Sequence, residues 1–521
     1  MLAMNRYGFL HKIKAWQVGS TILIVALSGC GAPRITLPPR PNVLPRTTLD
    51  IISHGTLVPN PLTTPRSTPG YSLNELVWNA LVNVKPNGAL TPNLARRWTT
   101  SEGNRRVVVT LDPRAKWWDG RPVTASDVVW SYRLYSNAAS GFPRVSPLTR
   151  ILKSVVALSP TRVAFTLKAS DPGFLSEYAS QGSGVFILPS FLLQKLAPAK
   201  VRSSRILSDP LDFVGTGPFR PVTKTGSRLT LKAVPRYFAG IVHIPYVVWS
   251  SRPPVHSTRW TAELWLYKPS GAHPKLQQKW HADNRAWVLL PNFRVVNHGA
   301  AEATIAGIYR GGARKALAQL GHGSSANGPI LPSNWSYFPG LTSPPSLSIP
   351  STSGLTGRTW TITVDRAHRR LAKACPSLAQ ETETLGVHFS CRVLPTSSYR
   401  QAVLGGHFQW VLADTRTPAS GWFFPSYGGG LYSSFKTNVG AYNDAAVNAA
   451  LNSAATTVNP SAHLYDLYQA QTALQKNPPG VFLVWPQYPT WTTPNLVGMS
   501  ENPYMRFYEP QAWKILSGGE K

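Results

Sequence analysis

The chain has 521 residues and is strongly basic, with 53 lysine and arginine residues against 22 aspartate and glutamate residues and a formal net charge of +31. Such a charge is typical of nucleic-acid-binding proteins, but the basic residues are scattered, and we find no arginine-rich block, zinc-finger spacing or aromatic RNA-binding motif. No GxSxG, HExxH, P-loop or dinucleotide-binding motif is present, so the sequence predicts neither an enzyme nor a cofactor. The histidines lack the spacing of a metal-binding helix, so no metal site is predicted.

The charge imbalance comes from a shortage of carboxylates. Acid unfolding proceeds largely by protonation of carboxylates that are ionised in the folded state, so a chain with few of them is less sensitive to acid. We therefore expect an acidic exterior, with attraction to anionic lipid or wall polymers as the alternative explanation.

The amino terminus has the pattern of a secreted lipoprotein. Arg6, Lys12 and Lys14 precede an apolar run over residues 21–27, which leads into the lipobox-like sequence LSGC ending at Cys30. This run is shorter than the ~20 residues that span a bilayer. We predict a signal peptide over residues 1–29, lipidation of Cys30, and an extended proline-rich tether over residues 30–46.

The first predicted elements are strands and one helix. Residues 48–54 favour a strand, and residues 71–81 (YSLNELVWNAL) carry apolar side chains at helical spacing. Residues 106–111 (RVVVTL) predict a further strand, which Asp112-Pro113 ends because proline cannot donate to a ladder.

Residues 116–132 (KWWDGRPVTASDVVWSY) predict a turn followed by a capped helix. Asp119-Gly120 supplies the turn. Thr124 stands three residues before Asp127, a spacing that resembles a capping box. A hairpin then follows over residues 155–158 and 162–167, and residues 214–219 (VGTGPF) form a glycine-proline corner.

The KWWDG-to-SY segment and the GTGPF corner, in this order, resemble the signatures of the family 5 extracellular solute-binding proteins, which are the peptide- and nickel-binding components of ABC importers. The resemblance extends over most of residues 48–515, with a weak stretch around residues 262–283. It implies an α/β fold of the periplasmic-binding-protein type II, with two lobes, an additional subdomain, mixed sheets and a cleft between the lobes. We interpret both motifs as structural parts of a lobe.

The second half of the chain continues this pattern. Alternating apolar residues predict strands, and apolar residues at helical spacing predict helices. The predicted strands cover residues 228–234, 289–297, 359–364, 387–393, 407–413 and 481–485, and the predicted helices cover residues 311–320, 366–385, 445–455 and 462–476. Residues 359–393 form a predicted βαβ unit that begins the last lobe.

Two cysteines remain besides Cys30. Cys375 and Cys391 lie 16 residues apart and flank a predicted helix and strand. Outside the cytoplasm they can form a disulfide, and two buried thiols are the alternative, because sequence alone does not give the geometry.

The resemblance divides the mature chain into lobes. We expect lobe I to comprise residues 47–92, 214–290 and 481–521. The additional subdomain of lobe I is expected over residues 93–213, and lobe II over residues 291–480.

The expected ligand site lies in residues 413–427. In peptide-binding members of the family, an acidic residue before a proline holds the α-ammonium of the ligand, but here Thr417 precedes Pro418. Asp414 is the candidate replacement, and Arg416 is a candidate for binding a ligand carboxylate or phosphate. Three aromatic residues, Trp422, Phe423 and Tyr427, are candidates to line the pocket, with core packing as the alternative.

The resemblance implies a monomeric, lipid-anchored solute-binding protein at the outer face of the cytoplasmic membrane or in the periplasm. It would capture an oligopeptide and deliver it to the permease subunits of an ABC importer, with no nucleic-acid partner. The alternatives are a non-peptide solute such as a nickel chelate, a sugar or an anionic molecule, or a wall-associated basic lipoprotein without a transport role. An extracellular hydrolase is the rival from the enzyme class.

Overall fold

The computed structural model describes residues 47–516, apart from residues 55–56, 65–68, 253–260, 271–274, 342–346, 348–356, 424–437 and 501. The predicted signal peptide, Cys30, the predicted tether and Tyr427 lie outside the described residues. Within these ranges no helix is long and apolar enough to cross a membrane.

The first lobe is built around a mixed sheet whose strands come from separate parts of the chain. Its central strand is buried along its whole length and lies between two parallel neighbours, an environment that favours the apolar residues Leu49, Ile51 and Ile52. The elements that precede the subdomain are β1 (Thr48–Ile52), α1 (Asn74–Val77), β2 (Val82–Val84) and β3 (Leu90–Pro92).

The additional subdomain contains an antiparallel sheet with the strand order β4-β5-β7-β6 and several short helices. It shares one continuous apolar core with the first lobe. Its elements are β4 (Ala95–Ser101), β5 (Arg106–Leu111), α2 (Ala125–Tyr135), α3 (Val145–Ile151), β6 (Leu152–Ser159), β7 (Arg162–Leu167), α4 (Phe174–Tyr178), α5 (Ser190–Leu193), α6 (Pro198–Val201) and α7 (Arg205–Ser208).

The chain then returns to the first lobe and completes its sheet. In the described part of the chain the strand order is β12-β19-β11-β1-β10-β9-β8. Strand β19 follows the second lobe. The strands that the chain adds before entering that lobe are β8 (Phe219–Thr225), β9 (Arg228–Ala233), β10 (Tyr246–Ser250), β11 (Thr261–Trp265) and β12 (Gln277–Ala282).

The second lobe has a mixed sheet with the order β14-β18-β13-β17-β15-β16 and helices on both faces. Successive residues of β13 alternate between its two cores: Trp287 and Leu289 enter one, and Ala286 and Val288 enter the other. Its elements are β13 (Arg285–Pro291), α8 (His298–Arg310), α9 (Ala313–Gly321), β14 (Ser324–Ser325), β15 (Arg358–Asp365), α10 (Arg369–Glu383), β16 (Val387–Leu394), α11 (Thr396–Leu404), β17 (Trp410–Arg416), α12 (Ala445–Thr456), α13 (Pro460–Lys476) and β18 (Val481–Trp485).

After β18 the chain passes back to the first lobe. Strand β19 joins the first sheet, and two short strands pair with each other near the carboxyl terminus. These elements are β19 (Gln487–Thr492), β20 (Leu496–Val497) and β21 (Lys514–Ile515). Short 3-10 helices occur at Pro69–Leu73, Ala138–Ser140, Gln181–Ser183, Pro210–Asp212 and Pro510–Ala512.

Most predicted elements are present, although several begin or end a few residues away from their predicted bounds. The helix predicted over residues 71–81 is shorter, because Trp78 is extended. The strand expected over residues 289–297 begins and ends earlier, as β13. The strand expected over residues 407–413 begins and ends three residues later, as β17. The βαβ unit is confirmed, since β15 and β16 pair in parallel with α10 between them.

The chain crosses between the lobes at positions that differ from the prediction. Strands β13 and β18 pair with each other in the second sheet, and not in the first. Residues 285–290 and 481–485, which the prediction assigns to lobe I, therefore belong to the second lobe. Each crossing between the lobes lies one strand away from its predicted position. Apolar strands in either sheet have the same sequence pattern, which is why sequence did not separate them.

The two family motifs pack against each other. The backbone N–H of Trp118 donates to the Gly215 carbonyl at 3.0 Å, and its indole N–H donates to the Gly217 carbonyl at 2.9 Å. The Gly217 N–H donates to the Val77 carbonyl at 2.9 Å. The motifs therefore join the subdomain to the first lobe, and these contacts are structural.

The Asp127 carboxylate anchors the start of α2. It accepts hydrogen bonds from the backbone N–H and the hydroxyl of Thr124, both at 2.9 Å, and from the Ser190 hydroxyl at 2.6 Å. The hydrogen bond from the Thr124 backbone N–H to the Asp127 carboxylate is one of the two interactions that define a capping box. The additional bond to Ser190 ties the helix to the start of α5.

Cys375 and Cys391 form a disulfide in the second lobe. The bond links α10 to β16, the two consecutive elements of the βαβ unit. It therefore fixes the helix against the strand at the outer edge of the second sheet.

The glycine corner provides a test of the structural role of the second motif. A Cβ at Gly215 would overlap the Val77 carbonyl oxygen and lie 2.7 Å from the Trp118 ring. We expect Gly215→Ala to lower the free energy of unfolding by about 1–3 kcal/mol, the usual effect of overpacking. Urea unfolding measures this change.

The matched control is Gly299→Ala. This glycine lies in α8, and the nearest atom to an added Cβ is 3.5 Å away. Alanine is favoured over glycine in helices, so this variant should be at least as stable as the wild type. Equal stability of Gly215→Ala and the wild type would contradict the structural role of the corner.

Candidate ligand-binding cleft

Two cavities lie between the lobes. The first, of about 320 Å³, is lined by Glu75 and Tyr71 of the first lobe and by three arginines, Arg285, Arg416 and Arg506. We call it the arginine cavity. Ligand pockets typically lie in such interlobe clefts, where a few polar groups fix the orientation of the ligand.

The second cavity has a volume of about 180 Å³ and lies between the subdomain and the second lobe. The subdomain contributes Asp171, Glu177 and Tyr178 to its wall. The second lobe contributes Arg416, Ser420 and Trp422. We call it the acidic cavity. The two cavities adjoin at Arg416, which lines both.

Arg416 is the last residue of β17 and is half-buried. No carboxylate or hydrogen-bond acceptor in the described ranges pairs with its guanidinium. Burial is the largest influence on the pKa of Arg416 and lowers it, and the charges of Arg285 and Arg144 add to this effect against the opposing carboxylates of Glu177 and Asp283. A planar donor group that is half-buried and has no partner among the described residues is suited to bind a carboxylate or carbonyl group of a ligand.

Asp414 already has partners within the second lobe. Its carboxylate accepts a hydrogen bond from the Arg285 guanidinium at 2.6 Å and lies 3.6 Å from Nε2 of His368. Burial alone would raise the pKa of Asp414, but the nearby His368 imidazole and the charge and hydrogen bond of Arg285 outweigh it and hold the pKa well below its usual range. Asp414 lines neither cavity, and its role as a ligand anchor stays a prediction.

The other predicted residues lie mainly in the core. Thr417 is fully buried, and its hydroxyl donates to the Pro329 carbonyl at 2.7 Å. Phe423 belongs to a core cluster of the second lobe. Trp422 belongs to the same cluster and donates its indole N–H to the Leu451 carbonyl at 3.2 Å, but it also lines the acidic cavity. Arg416 and Trp422 are thus the predicted residues that face a cavity.

The structure adds residues that sequence reasoning missed. Asp171 follows β7 in the sequence SDPGF, where an aspartate before proline and glycine is typical of a turn. It does make such a turn, since its Oδ1 accepts the Gly173 N–H at 2.8 Å. Only the position of this turn opposite the second lobe makes Asp171 a candidate for binding.

Glu177 is the second acidic residue of this cavity, and it has a cationic partner. Its carboxylate lies 3.8 Å from the Arg144 guanidinium. Arg144 also donates to the carbonyls of Glu177 and Ser183, at 2.8 and 3.0 Å. Of the two carboxylates, Asp171 is therefore the one without an ion pair in the described structure.

Hydrogen bonds hold the lobes together beside the cavities. The side-chain amide of Asn104 in the subdomain donates to the carbonyls of Ala455 and Thr457, at 3.0 and 3.1 Å. Trp335 of the second lobe donates its backbone N–H to the Asn87 carbonyl at 2.8 Å. The structure therefore has the two lobes in direct contact.

The ion pair of Asp414 provides a test of its structural role. We expect Asp414→Asn to lower the free energy of unfolding by about 1–3 kcal/mol at neutral pH, because Arg285 would lose its partner. A carboxylate with a depressed pKa contributes stability above its usual pKa and loses that contribution in more acidic solution. The difference from the wild type should therefore be constant above about pH 5 and shrink below about pH 4.

Chemical unfolding across this pH range measures the difference. Asp119→Asn is the control, because Asp119 lies in an exposed turn, 3.5 Å from Arg121, and exposed pairs contribute little. If Asp414→Asn and the wild type are equally stable at neutral pH, or if the difference in their unfolding free energies increases as the pH falls, Asp414 does not stabilise the fold.

Comparison with known proteins agrees with this architecture. Residues 89–263 match the family model described as bacterial extracellular solute-binding proteins, family 5 Middle. The dipeptide-binding protein of Escherichia coli (strain K12) is 26% identical over 195 residues, which cover 34% of this chain and 35% of the relative. The nickel-binding periplasmic protein of the same organism is 28% identical over 144 residues, or 28% of this chain and 26% of the relative.

These matches span only about a quarter to a third of the length of the curated relatives. The structure of HbpA2 from Haemophilus parasuis resembles the chain over a larger part: the two align with a TM-score of 0.71 at 17% identity, over 90% of this chain and 100% of that chain. This likeness confirms the expected type II binding-protein fold. The relatives are named for binding and not for catalysis, in agreement with the prediction of a non-enzyme. The chain thus matches the family 5 bacterial extracellular solute-binding proteins over residues 89–263, and it has the fold of the type II binding proteins.

Proposed function

We propose that this protein captures a short peptide in the cleft between its lobes and delivers it to the permease of an ABC importer. The proposal includes attachment to the outer face of the cytoplasmic membrane through a lipid on Cys30. The E. coli relatives are named for binding a dipeptide and nickel, which leaves the solute class of this chain to be argued from its cleft.

The observation that carries the proposal is the arrangement of charge along the cleft. Arg416 stands between the two cavities without a partner in the described structure, and Asp171 and Glu177 line the acidic cavity. A buried charge that lacks a partner in the protein is stabilised when a ligand supplies one. The cleft therefore suits a dipolar solute with cationic and anionic or carbonyl groups, which is the chemistry of a peptide.

An anionic solute is the second candidate, because three arginines line the arginine cavity. Guanidinium groups bind carboxylate and phosphate well. The carboxylates of the acidic cavity would then have no role in binding. The two candidates differ in whether a free amino group on the solute contributes to affinity.

Arg416 is the residue on which both candidates depend. We expect Arg416→Ala to weaken binding of free-amine tripeptides by about tenfold or more, since it removes the charged donor shared by the two cavities. Native mass spectrometry with a random tripeptide pool would identify bound peptides, and calorimetry on the tightest one would give the affinity. Arg392→Ala, at an exposed position of β16, is the control.

The outcome also tests the solute class. Native purification followed by mass spectrometry of the bound small molecules would show a peptide if the proposal is correct. Recovery of a sugar, a metal chelate or an organic phosphate, with no binding of any tripeptide, would contradict the peptide assignment. If Arg416→Ala binds tripeptides with the affinity of the wild type, the role proposed for Arg416 in the cleft is contradicted.

The membrane attachment is tested separately. Cys30→Ala should abolish incorporation of labelled fatty acid and shift the protein from the membrane fraction to the soluble fraction, because the cysteine thiol is the attachment point. Cys375→Ala, which leaves Cys30 intact, should retain the label. Unchanged membrane retention of Cys30→Ala would contradict the lipid anchor.

A further inference from the structure

Asp171 is a buried carboxylate without a cationic partner. Only 7% of the residue is exposed. One carboxylate oxygen accepts the Gly173 N–H at 2.8 Å, and the other accepts no hydrogen bond from any residue in the described ranges. Removing an ionised carboxylate from water is costly unless a partner replaces the lost hydration. The second carboxylate oxygen therefore has no hydrogen-bond donor among the described residues and is available to a donor of the ligand.

The surroundings of Asp171 do not supply that partner. Glu177 and Tyr178 lie on α4, and the charge of Glu177 is shared with Arg144. Arg416 reaches the same cavity from the second lobe but forms no ion pair with Asp171. Burial, opposed by the Gly173 hydrogen bond and assisted by the Glu177 charge, raises the pKa of Asp171 to about 7.

The second lobe places a hydroxyl near this carboxylate. A Cβ built on Gly173 would lie 3.1 Å from Oδ1 of Asp171 and 3.1 Å from the Ser420 hydroxyl oxygen. This Oδ1 is the oxygen that accepts the Gly173 N–H, so the Asp171 carboxylate and the Ser420 hydroxyl lie within about 6 Å of each other, on opposite walls of the acidic cavity. An ammonium group has three N–H donors and no acceptor, and a carboxylate oxygen beside a hydroxyl oxygen offers the acceptors that it needs. The Trp422 ring, which lines the same cavity, can attract a cation as well.

We propose that Asp171 of the first lobe, and not Asp414 of the second, binds the ammonium group of the solute. This inference rests on the proposed capture of a peptide and assigns its amino terminus to the acidic cavity. Ser420 approaches the same ammonium from the second lobe. The carboxylate that recognises the amino terminus then comes from the wall of the cleft opposite Pro418, where Thr417 is buried and lacks a carboxylate.

The test compares free and blocked amino termini. A random pool of tripeptides with free amino termini and the same pool after N-acetylation are offered to the wild type, Asp171→Asn, Asp414→Asn and Asp119→Asn. We expect Asp171→Asn to weaken binding of the free-amine pool by about 30-fold or more and to leave binding of the acetylated pool nearly unchanged. Asp119→Asn, in an exposed turn of the same subdomain, should behave as the wild type.

Asp414→Asn should lose stability but keep the preference for a free amino terminus. Thermal unfolding of each variant separates folding from recognition. Asparagine has nearly the shape of aspartate, and replacing an unpaired buried carboxylate removes a desolvation penalty, so Asp171→Asn should fold.

Proton release gives a second readout that a purely structural role would not change. An ammonium favours the ionised form of Asp171 and lowers its pKa, so the wild type should release a proton on binding at pH 6. Near pH 8 this release should disappear and change to proton uptake, because the α-amino group of the peptide has a pKa of about 8 and binds in its protonated form. The groups facing Asp171 are Glu177, Tyr178, Arg416 and Arg144. Calorimetry in buffers of different ionisation enthalpy measures this release, which Asp171→Asn and the acetylated pool should abolish.

The outcomes distinguish this inference from the function on which it rests. Wild-type binding with the same amine preference in Asp171→Asn, or loss of that preference in Asp414→Asn alone, overturns the role of Asp171 and leaves peptide capture intact. Failure of the wild type to bind either pool overturns both proposals. Selective loss of free-amine binding in Asp171→Asn, together with loss of the proton release, supports the assignment.

Discussion

The pairing of β13 with β17 determines which charges face the cleft. The register of these strands sets Arg285 directly opposite Arg416 and sets Trp287 opposite Asp414. Two like charges in such positions repel each other, and Asp414 relieves the repulsion by pairing with Arg285. One arginine is thereby used within the lobe, and the other remains at the end of β17 without an ion pair in the described part of the chain. A shift of one residue in this register would turn Arg416 to the other face of the sheet.

The few buried carboxylates respond to acid in opposite directions. Burial raises the pKa of Asp50 to about 6 and that of Asp171 to about 7. Because the folded state holds these protons more tightly than the unfolded chain, their contribution to stability falls as the pH rises from about 4 to 7. Asp414, with its lowered pKa, has the reverse effect, and its contribution is lost progressively as the pH falls below about 4. Both effects are compatible with an acidic exterior, which stays a prediction.

Sequence predicted the elements whose signals are local. The β-branched run RVVVTL forms β5, the apolar run at residues 481–485 forms β18, and the Thr124–Asp127 spacing precedes α2. The helix predicted over residues 71–81 is shorter in the structure because backbone N–H groups near its predicted end bond distant side chains instead of helix carbonyls. The Asn79 N–H donates to the Thr216 hydroxyl, and the Ala80 N–H donates to the Gln181 side chain. No periodicity in the sequence indicates such partners.

The site was harder to predict, for a related reason. Asp414 was the carboxylate nearest in sequence to the missing acid at Thr417, but distance along the chain says nothing about Arg285, which lies 129 residues away and pairs with it. Asp171 had an ordinary turn signal and lies in a different lobe. The roles of Asp414 and Asp171 depend on which lobes and strands meet. That depends on where the chain crosses between the lobes, and sequence analysis predicts each crossing one strand away from its position in the structure.

The charges of the cleft also bear on how the lobes close. In the described arrangement Asp171 belongs to the first lobe and Arg416 to the second, and both are enclosed between the lobes without a partner of opposite charge. Closure of an empty cleft therefore removes two charges from water and gives little in return, which favours an open, hydrated arrangement.

A solute that carries an ammonium and a carbonyl or carboxylate group offsets both losses, but it does so only when both lobes contact it. Such a solute binds the closed form more tightly than the open one, and this difference in affinity shifts the equilibrium toward closure. A solute that satisfies one of the two charges leaves the other enclosed and unpaired, so recognition of both ends and closure of the lobes are linked.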